Sequence, residues 1–215
     1  MKKSALLLIP LVASLFSLSG CVLGHRTVAL SVKTGAMAST KGSVFLRPVS
    51  DERHFENGPD KPSTPSISGN VNAVSKDELG KYVGRQRNGY GHAMGDLVLP
   101  SGETVSGKMR ELVKEAFARR GYAVGTSATS GNAAEVKIDE FWAWTTPGLW
   151  SIGFDARISA RFTVNHGGHT STFTVLGTGG NNGQMGSTEN WQETYEGAFD
   201  DFLAKLDKEL ASAGF

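Results

Sequence analysis

Apolar positions along this chain recur at two spacings, and each predicts its own kind of element. Between about residues 104 and 120, Val105, Met109, Leu112, Val113, Ala116 and Phe117 fall at i, i+4, i+7, i+8, i+11 and i+12, the single stripe of an amphipathic helix. Ser101 or Thr104 can cap its start, and Gly121 stands where a left-handed residue closes a helix. Arg119 and Arg120 suit the negative end of the helix dipole, and Glu115 with Arg119 forms an i,i+4 pair. A second stripe, Trp191, Tyr195, Ala198, Phe202, Leu206 and Leu210, predicts a helix over about 188–211, capped by Ser187 or Thr188.

The other spacing is two. Val28, Leu30 and Val32 alternate over 27–33, and a short strand follows at 43–49, limited by Pro48. Residues 122–124 read as a brief strand. Over 135–144, strict alternation places Val136, Ile138, Trp142 and Trp144 on one face, with Glu140 an odd carboxylate among them. Residues 152–164 alternate best, with Ile152, Phe154, Ala156, Ile158, Ala160, Phe162 and Val164 on one side and Asp155, Arg157, Ser159, Arg161 and Thr163 on the other. One wet face argues for antiparallel neighbours. The run from Asn165 to His169 supplies a hairpin turn, residues 170–178 return, and the glycine- and asparagine-rich run 179–186 reads as a loop.

Residues 51–103 break the rhythm with 8 Gly and 4 Pro, a long Gly/Pro-rich insertion with a brief strand at 97–100 near its end. The predicted order is β-β-(insertion)-α-β-β-β-β-α. Two helices must bury their stripes on one apolar sheet face, so the expected fold is α+β: a two-layer sandwich, mostly antiparallel, as one domain over 27–215.

The amino terminus has its own pattern. Lys2 and Lys3 precede an apolar run over 4–18 that is too short to span a bilayer and contains Pro10. Leu18-Ser19-Gly20-Cys21 follows, the order of charge, apolar core and small-residue cleavage site of a signal peptide. The last four residues resemble the bacterial lipobox. That resemblance implies cleavage before Cys21, diacylation of its thiol and acylation of the new amino terminus, leaving 21–26 as acylated anchor and linker. Several acyl chains hold a protein on a bilayer stably where one does not. In lipoproteins of this type an aspartate after the cysteine favours the inner membrane. Val22 stands there, so the expectation is the outer membrane, lipid-anchored, with the body on the periplasmic face.

Composition adds boundaries. Cys21 is the only cysteine of 215 residues, so once acylated it leaves no disulfide. Loss of residues 1–20 takes Lys2 and Lys3 from 22 Lys and Arg, against 21 Asp and Glu, so the mature chain is nearly neutral and nothing points to nucleic acid.

Several constellations carry candidate chemistry. Leu149 and Trp150 follow Pro147-Gly148 at a turn, where an exposed aromatic can touch a membrane, a glycan or a protein; packing at an edge is the plainer use. Lys81, Arg85 and Arg87 with Tyr82 and Tyr90 form a basic and aromatic patch suited to a phosphate or lipid headgroup, or else a solvated loop. His166 and His169 flank a Gly-Gly turn and make an incomplete metal site. Asp51 and Glu140 are candidate acid–base groups, without a visible partner. No nucleophile elbow, phosphate loop or dinucleotide fingerprint occurs, and no cofactor is expected.

With the signal and this order of elements, the chain resembles bacterial lipoproteins of the YajG type. More broadly it resembles the small α/β lipoproteins that accompany envelope transport systems. The resemblance is carried by Leu18-Ser19-Gly20-Cys21, by strand 43–49 and by the run Leu112-Val113-Lys114-Glu115-Ala116-Phe117-Ala118-Arg119-Arg120-Gly121-Tyr122-Ala123-Val124. The insertion and the Trp-rich strand depart from it. It implies acylation at Cys21 and no catalytic residues. The expected function is a non-enzymatic, membrane-anchored envelope lipoprotein whose periplasmic domain binds a protein or lipid partner through Leu149, Trp150, Arg85, Arg87 and Tyr90. The alternatives are an envelope enzyme acting on glycan or lipid through carboxylates, and metal or ligand binding at His166 and His169.

Overall fold

The computed structural model describes residues 24–35, 40–88, 90–125, 131–148, 150–183 and 186–215. The signal segment, Cys21 and Leu149 lie outside them. The class is α+β: one nine-stranded sheet and three α-helices among the described residues. The strands are β1 (Gly24–Thr27), β2 (Gly42–Leu46), β3 (Ser50–Asp51), β4 (Tyr82–Arg87), β5 (Ala93–Val98), β6 (Tyr122–Gly125), β7 (Ala133–Pro147), β8 (Ile152–His166) and β9 (His169–Gly183). The helices are α1 (Lys76–Leu79), α2 (Val105–Arg119) and α3 (Thr188–Ser212).

The two long helices form where the apolar stripes predict them. Thr104 caps α2 by accepting the Gly107 N–H at 3.1 Å, and Gly121 takes a φ of 86° just past its end. All six stripe residues of α2 are fully buried. Ser187 caps α3 from the Asn190 N–H at 3.3 Å, and its stripe from Trp191 to Leu210 is buried likewise. The rings of α3 settle on the sheet: Tyr195 stacks on Phe141 at 5.3 Å, and Trp191 meets Phe154 edge-on at 4.8 Å.

β7 is the spine of the sheet. One edge pairs antiparallel with β8 along its length, and β8 pairs antiparallel with β9. The other edge is shared by three short parallel strands in succession: β2 at Ala133 and Ala134, β3 at Lys137 and Ile138, β4 at Ala143 and Trp144. β6 lies parallel to β2, β5 antiparallel to β4, and β1 parallel to β5. The sheet is therefore mixed. Strict alternation reported the antiparallel pairs of β8, but the short strands carry no such signature.

Four other expectations are corrected. The strand expected at 27–33 is paired only over Gly24–Thr27; Val28 still donates its N–H to Val98 O at 2.9 Å, and β5 ends there. The loop expected at 179–186 is strand as far as Gly183. The insertion, where only a brief strand at 97–100 was expected, contributes both β4 and β5 to the sheet. And β7 does not keep its phase. Ile138 pairs with Ala160 while Glu140 pairs with Ser159, so Asp139 is an extra residue, a β-bulge. Beyond it Phe141 and Ala143 face the helices, fully buried, while Glu140, Trp142 and Trp144 face the opposite side.

That opposite face carries a second, smaller core. Trp142 packs there with Ile67, Val71 and Tyr82, and Phe55, Val74, Leu79, Val98 and Trp144 close around them. Residues 51–75 of the insertion thus serve as a cover. Arg53 pins it: its guanidinium binds the Asp51 carboxylate at 2.8 Å and donates to the carbonyls of Tyr82, Phe141 and Leu79 at 2.7, 3.0 and 3.1 Å. Trp142 Nε1 donates to Pro62 O at 3.3 Å.

Candidate functional site

The strands that run parallel to one another bring several chain ends together. β4 and β7 run the same way with Arg85 beside Trp144, so their following turns project from the same end of the sheet. The Arg87 N–H donates to Thr145 Oγ1 at 3.0 Å, and that hydroxyl donates back to Arg87 O at 3.2 Å. β9 finishes here too, since Gly183 pairs with Ile152 at the start of β8. β1 begins here, with Gly24 beside Gly95 and Gly95 beside Gln86. Arg26 donates to the Gly186 carbonyl, tying β1 to the segment that leads into α3.

Two aromatic side chains stand out at this end. Tyr90 and Trp150 are each 88% exposed, against 42% for Leu176, the other large exposed hydrophobic among the described residues. The Tyr90 turn is built by Asn88, whose Oδ1 accepts the N–H groups of Tyr90 and His92 at 3.0 and 2.9 Å, with Gly91 at a φ of 80°. The Trp150 turn needs Gly148, because a Cβ there would meet Ser151 O at 2.5 Å. Both turns leave a large ring in solvent.

The five contact residues expected from sequence therefore divide. Tyr90 and Trp150 share one exposed end, while Leu149 lies outside the described residues. Arg87 donates from Nη1 to Gly91 O at 3.0 Å, bracing the Tyr90 turn. Its pKa is lowered, first by burial and then by the charge of Arg85. Arg85 does not join the patch. Its side chain is mostly buried, with Nε 3.4 Å from Asp96, Nη1 3.1 Å from Ser66 Oγ and Nη2 3.4 Å from Ser68 Oγ.

Asp96 is the group that sequence reasoning missed. It is fully buried and accepts the Ser68 N–H at 2.9 and 3.1 Å. His25 Nε2 lies 3.8 Å from it and 3.4 Å from the Tyr82 hydroxyl. At 3.8 Å the histidine is beyond hydrogen-bonding distance, whereas Asp96 and Arg85 contact each other and both reach residues 66–68. The cluster fastens the cover onto β5. Its sequence signal was a lone carboxylate inside an apolar strand.

The other candidates have local structural roles. Asp51 is held by Arg53. The bulge moves Glu140 off the helix-facing side; its side chain is 42% exposed, 3.6 Å from Arg157, in an open groove with His54, Thr64 and Trp142. His166 and His169 pair across a turn whose two glycines have φ of 57° and 85°, the geometry of a tight hairpin. His166 Nε2 lies 3.2 Å from the Tyr122 hydroxyl and its ring packs on Phe215, whereas His169 is exposed. No group of three or more potential metal-ligating side chains occurs among the described residues. No helix among them is long and apolar enough to cross a membrane.

No family model and no curated protein matches the chain. Two solved structures are similar over 88% of its length. One is an uncharacterized protein at 10% identity and a TM-score of 0.41, matched over 98% of its own chain. The other is a protein from Xanthomonas campestris of the DUF330 family model, at 14% identity and a TM-score of 0.46, matched over 96% of its own chain.

Proposed function

We propose that this protein is a non-enzymatic lipoprotein of the bacterial envelope, anchored in the outer membrane through acylated Cys21. Its periplasmic domain binds a protein or lipid partner. One observation carries the reading: Leu18-Ser19-Gly20-Cys21, preceded by a positive and then an apolar segment, stands three residues before the first strand of a folded body. Acyl chains on that cysteine bring the body to a bilayer without any spanning helix. Tyr90 and Trp150 support a contact role, being large rings left in solvent. Within this reading the body is a two-layer α+β sandwich of the YajG type, with α2 and α3 on one face of the sheet. The cover formed by residues 51–75 is this chain's own addition on the other.

The test is acylation itself. In cells fed an alkyne-tagged palmitate, the protein is expected to carry the tag, to begin at Cys21 and to fractionate with outer membranes. Cys21→Ser should lose the tag and move to the soluble fraction. A mature amino terminus elsewhere, with no acyl mass, refutes the anchor. Crosslinking the anchored form in intact cells then identifies what the domain touches.

A further inference from the structure

We propose that the end of the body bearing Tyr90 and Trp150 sits on the bilayer that holds the acyl chains, with both rings in its interfacial layer. The inference rests on the anchored reading above and adds an orientation to it.

The first argument is reach. Cys21 and Gly24 are three residues apart, and a fully extended chain covers at most about 3.6 Å per residue, so the anchor lies within roughly 11 Å of Gly24. Gly24 is level with Gly95 and Gln86, at the end of the sheet where the β4–β5 turn begins. That turn continues past Gln86 through Arg87 and Asn88 to Tyr90. At about 3.3 Å per strand residue it projects on the order of 10 Å, as far as the linker can extend. Trp150 belongs to the β7–β8 turn. β1, β5, β4 and β7 are neighbours, which places β7 three strand spacings from β1, roughly 14 Å at about 4.8 Å each. The linker is too short to hold these tips far from the lipid.

The second argument is chemistry. Trp and Tyr favour the membrane–water boundary, where the ring meets acyl chain and the polar atom stays wet. Carboxylates resist that setting, because they lose hydration and meet anionic headgroups. The described residues of the segments that form this end, 24–27, 86–88, 90–95, 145–148, 150–154, 180–183 and 186–188, contain no Asp or Glu of their own, although the Asp155 carboxylate reaches Thr146 Oγ1 at 2.8 Å and the Glu193 carboxylate reaches Asn181 Nδ2 at 2.6 Å. They do contain Arg26, Arg87, His25 and His92. Two exposed rings beside Arg26, Arg87, His25 and His92 complement the interface of a bilayer with anionic lipid.

Acylation of Cys21 leaves any introduced cysteine unique, which makes the test direct. The full acylated protein carrying Tyr90→Cys, Trp150→Cys or His169→Cys is labelled with an environment-sensitive dye. Each is reconstituted in vesicles of phosphatidylethanolamine with a minority of phosphatidylglycerol. His169 is the reference, because β8 separates its turn from the Trp150 turn by roughly 45 Å at about 3.3 Å per residue. Intact mass and flotation with vesicles establish the anchor first. Labels at 90 and 150 are expected to shift to the blue and to be quenched severalfold more than the label at 169 by brominated lipid. Intrinsic fluorescence lost in Trp150→Phe should show the same quenching. Equal quenching at all three positions in protein that is acylated and floats overturns the orientation while the anchor stands, and leaves the rings to a protein partner. Protein that is not acylated overturns both.

Discussion

Deleting Asp139 is the sharpest test of how β7 is built. A one-residue deletion inside a strand normally inverts every side chain beyond it. Here the register of β8 shows Ala160 opposite Ile138 and Ser159 opposite Glu140, so Asp139 has no partner of its own. Removing it should make β7 a regular strand, with Ile138, Phe141 and Ala143 still facing α3 and Glu140, Trp142 and Trp144 still facing the cover. What is lost is the ion pair with Arg161 at 2.9 Å between partly exposed side chains, which contributes about 0–1 kcal/mol. Arg161 keeps Glu52 at 2.6 Å. With some loss where Arg53 meets Phe141 O, the total should stay under about 2 kcal/mol, within the usual range for a single change. Deleting Lys137 is the matched control, also a partly exposed residue. It has a partner in Arg161, so its removal must turn either Val136 or Ile138 outward, with the residues beyond. At about 1.5–3 kcal/mol per buried aliphatic side chain, that approaches the 5–15 kcal/mol that holds a typical domain together. Guanidinium unfolding followed by tryptophan fluorescence measures both. If deletion of Asp139 costs as much as deletion of Lys137, or unfolds the protein, the bulge does not set the facing of Phe141 and Trp142.

Two further outcomes follow from the contact between β9 and α3. A Cβ on Gly177 would stand 2.5 Å from Phe202 Cβ and 2.6 Å from Ala198 O, atoms that cannot swing aside, so Gly177→Ala should cost about 1–3 kcal/mol in the same unfolding assay; an unchanged midpoint would mean that the helix is not seated there. Asp201 is held below the ordinary aspartate range, chiefly by the hydrogen bond from Lys205 and further by the Thr178 N–H. A depressed folded pKa means that its contribution is complete above the unfolded value near 3.9 and is lost as pH falls through the lower folded value. Asp201→Asn should therefore be less stable than the parent at pH 6, with the gap closing in acid; a gap that is constant from pH 6 to pH 3 would remove the charge from the explanation.

The helices were legible because period and caps agree: a stripe, a hydroxyl before it and a glycine after it all report one element. β8 was legible because its alternation is unbroken. β7 was not, because a bulge leaves no mark in composition. Both residues flanking the change of phase are acids, Asp139 and Glu140, and two polar residues in succession were the available hint. The extension of β9 was hidden by its glycines. Gly177, Gly179 and Gly183 lie on one face of the strand, against Ala198, Thr194 and Asn190 of α3. What reads as loop composition is the close approach of a helix to a sheet, and the even spacing of those glycines was its trace. The same helix protects the edge that β9 would otherwise present, since Asp201 accepts the Thr178 N–H at 2.9 Å and Lys205 donates to Leu176 O at 2.9 Å.

The candidate site divides along the same line. Local chemistry announced Trp150, because Pro-Gly beside an aromatic predicts an exposed tip from a few residues alone, whereas Tyr90 was read as part of a basic and aromatic patch. Arg85 was misjudged because its partner Asp96 lies on another strand, and the serines that complete the pair sit in an insertion whose composition resembles solvated loop. What no local rule could supply is the convergence of the ends. It depends on β4 lying parallel to β7, and on β1 lying parallel to β5, across about 60 to 70 residues of chain. Parallel pairs of two to four residues leave no periodicity to read. Yet once the pairs are known, the sequence regains a voice. The segments that meet at that end bring Tyr90 and Trp150, far apart in the chain, to one side of the fold with both rings in solvent. An end that meets lipid would supply a reason for leaving two such rings exposed.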